Sequence, residues 1–224
     1  PSTYKTWVFF GTGRFMTTGD VSSRAVQSLY GFIDAGATVP KSDLTARSVV
    51  ITGTADGKLV RSFQQNAPLP TNSKGWYINL LDPPDPPGTA QGERIVTPPQ
   101  LDGSVLEVSS IIPSATACES DGRGYLNAVD AFTGTSTAKP YFDVNGDGKF
   151  DGDDSLTPTD SNESTPIGSV DLGVGMVTQG ALFSGGGGGN GQICASGSAG
   201  ITGCVGKDEV RNVGRVSWRE VIRN

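Results

Sequence analysis

The sequence predicts an all-β protein. Three observations carry that expectation. The 224 residues include 32 glycines and 14 prolines, with glycine at roughly twice its ordinary frequency, so a chain breaker falls in almost every stretch of a dozen residues. Ser, Thr, Asn and Asp, the other turn formers, fill the intervals. The apolar runs are short, and several alternate apolar with polar residues, as half-buried antiparallel strands do.

The elements follow in order. Strand-like runs open at residues 5–10 and 25–33. Residues 42–45 read as a short helical turn with Ser42 and Asp43 as candidate caps. Further strand-like runs lie at 48–53, 59–63, 76–81, 94–97, 105–111, 125–131, 170–183 and 215–222. Three segments read as loops. Residues 82–88, Asp-Pro-Pro-Asp-Pro-Pro-Gly, form a stiff polyproline-like connector. Residues 141–165 are acidic and poor in apolar side chains. Residues 184–191 hold five consecutive glycines and read as a flexible tip. That glycine run lacks a following Lys-Ser/Thr and opens no helix, so it is not a phosphate loop. No apolar run reaches the roughly 18 residues of a membrane span. The length fits one domain over 1–224. The chain opens at Pro1 with neither initiator Met nor signal peptide, which reads as the processed or trimmed C-terminal part of a longer protein.

Charge and composition exclude several functions. Seventeen Lys and Arg face 23 Asp and Glu, a formal net charge of −6. This disfavours nucleic acid, which is held by phosphate neutralisation, and anionic lipid. It suits a metal cation. Histidine is absent, which removes Ser-His-Asp and Cys-His catalysis and His-ligated zinc. The cysteines are Cys118, Cys194 and Cys204, with no C-x-x-C. A Cys194–Cys204 disulfide is the favoured reading, worth about 2–3 kcal/mol for so short a loop, and two buried thiols are the alternative. Cys118 is then left over. Trp7, Trp76 and Trp218 read as core or interface residues. Asn162-Glu-Ser164 matches a glycosylation sequon, a triplet common by chance.

The twelve residues 143–154, Asp-Val-Asn-Gly-Asp-Gly-Lys-Phe-Asp-Gly-Asp-Asp, are the most informative. They match the EF-hand-type pattern D-x-N-x-D-G. Asp143, Asn145 and Asp147 occupy positions 1, 3 and 5, where side-chain oxygens converge, and Gly148 takes the sharp turn at position 6. Lys149 at position 7 would offer its carbonyl, with its ammonium facing away. Asp151 would ligate directly or through water, and Asp154 would close the shell. Such hard oxygens suit Ca²⁺ better than Mg²⁺. Phe150 is expected to point inward and anchor the loop. Pro140 and Pro158 flank the loop, so it is read as an EF-like loop between strands, without a helix pair.

Internal repetition adds to the fold expectation. Gly122-Arg-Gly-Tyr-Leu-Asn-Ala-Val-Asp-Ala-Phe-Thr-Gly134 resembles the strand–turn of quinoprotein-type propeller blades, and Phe9-Phe-Gly-Thr-Gly-Arg14 resembles another strand of those repeats. Residues 28–34 follow the same rhythm. Blades of about 40–50 residues would give four to five of them here. That would be a small all-β propeller of antiparallel sheets, or part of a larger one.

Four segments together are similar to one family. They are Val8-Phe-Phe-Gly-Thr-Gly-Arg14; Gly75-Trp-Tyr-Ile-Asn-Leu80 followed by Gly92-Glu-Arg-Ile-Val96; Ala117-Cys-Glu-Ser-Asp-Gly-Arg-Gly-Tyr-Leu-Asn-Ala-Val-Asp130; and Gly214-Arg-Val-Ser-Trp-Arg-Glu-Val221. In spacing and order they resemble the C-terminal domain of the PilY-type proteins of bacterial type IV pili. The resemblance implies a modified β-propeller of antiparallel sheets, whole or partial, with an EF-hand-like calcium loop, in a secreted, surface-exposed, non-enzymatic protein at or near the pilus tip. It implies roles in pilus assembly, calcium-linked opposition to retraction, adhesion and twitching motility. It implies Ca²⁺ ligands at Asp143, Asn145, Asp147, Lys149 by its carbonyl, and Asp151; Asp154 is added from the loop pattern alone. Expected partners are pilins or minor pilins, or an upstream part of the same protein, and a host or abiotic surface. The chain lacks Arg-Gly-Asp, so integrin-type adhesion is not assigned. A calcium-dependent carbohydrate-binding or filament-building module, with exposed aromatics as sites, is the alternative. A quinoprotein-like dehydrogenase is less favoured, because no cofactor constellation is evident.

Overall fold

A computed structural model of the chain describes residues 5–83, 88–114, 122–158, 162–185 and 190–209. The described strands form three open sheets. The first runs in the order β1 (Thr6–Gly11), β2 (Ser28–Asp34), β6 (Gly75–Asn79), β3 (Thr45–Arg47). The central sheet runs β4 (Val49–Ala55), β5 (Lys58–Phe63), β12 (Thr165–Val170), β9 (Arg123–Asp130), β8 (Val105–Ile112), β7 (Gln100–Asp102), and the short β11 (Ser155–Leu156) pairs with β12. The third runs β10 (Phe142–Asp143), β15 (Thr202–Lys207), β14 (Gly191–Ser196), β13 (Ala181–Phe183). Every strand pair is antiparallel except β3 with β6. A single five-residue helix, α1 (Thr18–Ser22), stands among the described residues.

Turn chemistry sets the hairpins. Asp56 and Gly57, between β4 and β5, both have positive φ, at 46° and 73°. This is the backbone that a two-residue hairpin turn matching strand twist requires, and Asp-Gly supplies it.

The central sheet is buried on both faces. Val60, Val105, Leu126, Ala128, Ile167 and Val170 pack with Phe142, Ile193, Ala195 and Val205 of the third sheet. Phe63, Leu106, Val108 and Val129 pack with Leu29, Trp76 and Ile78 of the first. Residue alternation along each strand sorts the side chains between the two faces. Trp76 is completely buried and its Nε1 donates to the Ala131 carbonyl at 2.9 Å.

A buried ion pair lies in the central sheet. The Arg61 guanidinium, with no exposed surface, donates to both Glu93 oxygens at 2.7 and 2.8 Å and to Asn127 Oδ1 at 3.0 Å. It stacks 3.8 Å from the Tyr125 ring centroid. Ser110 Oγ donates to Glu93 at 2.6 Å and Ser169 Oγ to Asn127 at 2.7 Å. Burial pushes the Glu93 carboxyl up, but the Arg61 charge and hydrogen bonds reverse the shift and hold it below the ordinary glutamate value.

Several expectations need correction. The run 170–183 is not one strand: β12 ends at Val170, and Ala181 begins β13 in another sheet. Of 94–97, only Arg94 bridges, to Ile111. The turn at 42–45 is a 3-10 turn over Lys41–Asp43, and β3 begins at Thr45. The described strands form three sheets, fewer than the four or five predicted blades. The run 215–222, Cys118, Trp218, residues 84–87 of the proline connector and 186–189 of the glycine run lie outside the described residues.

Replacing Glu93 with alanine should cost about 3–5 kcal/mol, because it leaves a buried guanidinium without its countercharge. Urea unfolding checks this. The double change Arg61→Met with Glu93→Leu should lose much less than Glu93→Ala alone.

Candidate metal loop

Asp143 ends β10 and is only 8% exposed. Its carboxylate organises the turn that follows. Oδ1 accepts from the backbone N–H of Gly146 at 2.7 Å and of Asp147 at 3.1 Å, and Oδ2 accepts from Gly148 N–H at 2.9 Å. Asn145 Oδ1 accepts from Asp147 N–H at 3.0 Å, and Asp147 Oδ1 from Lys149 N–H at 2.8 Å. Gly146 and Gly148 have φ of 76° and 80°, conformations that disfavour a side chain.

The far end of the loop is a 3-10 turn over Gly152–Asp154. Asp151 Oδ1 accepts from Asp153 N–H at 3.1 Å. Asp154 is 1% exposed and reaches back across the loop: Oδ1 accepts from Val144 N–H at 2.7 Å and Oδ2 from Asp151 N–H at 3.4 Å. Burial raises its carboxyl above the ordinary aspartate value, against the lowering effect of those N–H groups. Asp147 is shifted the other way, by the Lys149 backbone N–H and then its ammonium.

Two details differ from the sequence reading. The Lys149 ammonium does not face away, since Nζ donates to Asp147 Oδ2 at 3.2 Å. This cation, which feels the charges of Asp147, Asp151 and Asp153, offsets part of their mutual repulsion. Phe150 is half-buried and outside the apolar clusters; Tyr141, Phe142 and Val144 tie the loop to the core instead.

The donors at Asp143, Asn145, Asp147, Asp151 and the Lys149 carbonyl are all hard oxygens, the chemistry that Ca²⁺ takes. In the present arrangement the side-chain oxygens of Asp143, Asn145, Asp147 and Asp151 accept from backbone N–H groups. Among the described residues no three acidic, histidine or cysteine side chains gather as a ligand set.

Neighbouring strands support the loop through residues that the sequence reading missed. Asn190 Nδ2 donates to the Gly148 carbonyl at 2.6 Å. Lys58 Nζ donates to the Val144 carbonyl at 2.9 Å. Gly206 pairs with Asp143, and a Cβ there would lie 2.9 Å from Asp143 Cβ. Only Asn190, a polar residue closing the glycine run, carried any signal in the sequence. Cys194 and Cys204 face each other across β14 and β15, with Cα atoms 4.1 Å apart, and are joined as a disulfide. Cys204 and Gly206 line a cleft of about 260 Å³ with Asp143 and Asn145.

The outer face of the first sheet holds the aromatic row Phe10, Tyr30, Tyr77. The rings stand against one another, with centroids 5.0 and 6.0 Å apart, and the Lys41 ammonium lies 4.1 Å from the Tyr77 centroid. Tyr30 and Tyr77 are half-buried in this row, and Phe10 stays exposed at its end.

These features define an all-β module: three sheets, a cross-strand disulfide and an Asx-rich loop at the edge of one sheet. No family model matches the chain. It is 30% identical over 228 residues to a type IV pilus biogenesis factor PilY1 homolog of Xylella fastidiosa, covering 99% of this chain and 17% of that protein. It is 26% identical over 238 residues to the type IV pilus biogenesis factor PilY1 of Pseudomonas aeruginosa, covering 96% of this chain and 19% of that one. The crystal structure of the Pseudomonas aeruginosa PilY1 C-terminal domain superposes with a TM-score of 0.72 at 21% identity, over 92% of this chain and 42% of that one. The chain is thus a homologue, over nearly its whole length, of PilY1-type type IV pilus biogenesis factors. It spans less than a fifth of the length of these curated relatives.

Replacing both Cys194 and Cys204 with serine should lower stability by about 2–3 kcal/mol, because the staple closes a short loop in the unfolded chain. The denaturant midpoint measured for that variant checks the figure.

Proposed function

We propose that the chain is a non-enzymatic module of a type IV pilus biogenesis factor, exposed at the cell surface, that acts in pilus assembly and retraction control, adhesion and twitching motility. The observation that carries this is the similarity to PilY1 proteins along 99% of the chain. Its partners on this reading are pilins or minor pilins, or further parts of the same protein. The three sheets are read as part of a modified β-propeller.

The loop at 143–154 is proposed to bind Ca²⁺ through Asp143, Asn145, Asp147, the Lys149 carbonyl and Asp151. Asp154 already clamps the two ends of the loop and is the remaining candidate. When bound, the ion supplies a positive centre for carboxylates that otherwise repel. Asp143 and Asp154, held by backbone N–H groups at both ends, set the span of the loop. Lys149 must yield its contact with Asp147, so occupancy exchanges one cation for another. This is a local change at the end of β10, which suits a surface that reports the metal content of its compartment.

Calorimetric titration of the chain with Ca²⁺ tests the loop. The expected affinity is about 10⁻⁴–10⁻³ M, as for extracellular modules. Saturation at a hundredfold excess over Kd should stabilise the chain by about 2.7 kcal/mol. Asp143→Ala with Asp147→Ala should abolish both effects. The absence of heat and of any melting shift would overturn the metal assignment. The pilus role is tested separately, by counting surface pili in cells whose full-length protein lacks this module; unchanged piliation and twitching would overturn it.

A further inference from the structure

We propose that Glu107 is a pH-sensitive latch between the central and third sheets: its carboxyl holds them together when protonated and loosens them when ionised. Glu107 lies in β8, where every residue is buried, and has no exposed surface itself. Alternation places Val105, Glu107 and Ser109 on the face toward the third sheet, and Val105 belongs to the apolar cluster joining the two sheets.

Oε2 accepts from Gln100 Nε2 at 3.0 Å. Oε1 has no hydrogen-bond partner. The same Gln100 Nε2 donates to the Gly180 carbonyl at 2.6 Å, and Gly180 N–H donates to Ser109 Oγ at 3.2 Å. Gly180 immediately precedes β13, so these bonds fix the chain where it passes from one sheet to the other. The contact is close: a Cβ on Gly180 would lie 2.9 Å from Glu107 Oε1 and 2.8 Å from Ile193.

No countercharge reaches the carboxyl. Among the described residues, Glu107 forms no ion pair within 4.0 Å. The groups around it come from every neighbouring element. Gln100 of β7 and Ser109 of β8 are neutral. Ala128, opposite it on β9, and Ile193 of β14 are apolar. Tyr141, ahead of β10, donates its hydroxyl to Asp102 at 2.7 Å. The cation of this region, Lys207 of β15, is shared by Asp102 at 2.8 Å and Glu209 at 3.7 Å. An ionised Glu107 therefore has one neutral donor and no charge partner, which disfavours the anion. Burial pushes the carboxyl up to about 7, opposed by the Gln100 hydrogen bond.

The sign follows from linkage. The folded protein holds this proton more tightly than the unfolded chain does. The stabilisation is complete below the ordinary glutamate value of about 4.5 and is lost as pH rises through about 7. The opening falls on the Gly180 crossing, with β13 and β14 beyond it.

Hydrogen exchange and melting of the full chain at about pH 5 and about pH 8 test the latch, with Glu107→Gln as the mimic of the protonated form. After correction for intrinsic exchange, amides at 178–183 and 191–196 of the unaltered chain should open more than about tenfold further at the higher pH. Its melting temperature should fall. Glu107→Gln should remove both changes, and Asp102→Asn should leave both in place. Equal pH responses in the unaltered chain and Glu107→Gln, or loss of the response in Asp102→Asn, would overturn the proposal. Should Glu107→Gln not fold, infrared spectra of the unaltered chain decide: a protonated-carboxyl band at about pH 6 that disappears by about pH 8 supports the latch, and its absence at about pH 6 overturns it.

Discussion

A guanidinium with no exposed surface is the constraint on which much of this fold depends. Arg61 sits in the middle of β5, on the face of the central sheet turned toward the first sheet. Nothing apolar can satisfy it. Its partner Glu93 comes from the segment that runs beside β8, where Arg94 exchanges both backbone hydrogen bonds with Ile111. Arg94 then follows in place and ties that segment outward: its guanidinium donates to the carbonyls of Arg14, Asp20, Ser23 and Gly92. Arg94 thereby ties down the connection between β1 and β2, at residues 71 to 80 positions away from it in the chain.

The two faces of the central sheet solve burial differently. Toward the first sheet, polar groups are numerous and nearly all paired, through Arg61, Glu93, Asn127, Ser110 and Ser169. Toward the third sheet, the interior is mostly apolar, and Glu107 is a buried carboxyl there without a countercharge. The third sheet is also the one with the disulfide and with Asp143 at its edge. It is thus covalently tied within itself and, at Gly180, joined to its neighbour through a glutamine and a serine. Rigidity inside a sheet and adjustability between sheets are separate properties here, and each has named residues.

The sequence was most legible where local rules dominate. Alternation located most of the longer strands, and the D-x-N-x-D-G spacing placed a sharp turn at Gly148 in the segment that Asp143 organises. The close cysteine pair was readable because β14 and β15 meet in a short hairpin. What escaped the sequence depends on distant partners. β3, β7, β10 and β11 are two or three residues long, too short for any period. β14 and β15 are rich in glycine and small residues, so apolar alternation fades in them. Lys58 and Gly206 look unremarkable until the fold sets them beside Val144 and Asp143. Glu107 looks like a surface residue in an alternating strand; only the arrival of a third sheet makes it interior.

Trp76 carries a last implication, about how such a chain can diverge. The indole fills the space that a side chain would need at two glycines far apart in sequence: a Cβ would lie 2.5 Å from the ring at Gly31 and 2.3 Å from it at Gly134. Gly134 also has a positive φ of 69°. The three positions therefore form one heritable unit. Neither glycine can acquire a methyl group while the tryptophan remains, and loss of the tryptophan removes the steric reason to keep Gly31. Lineages of this fold are expected to change Gly31 only where Trp76 has already been lost, while Gly134 stays fixed by its backbone.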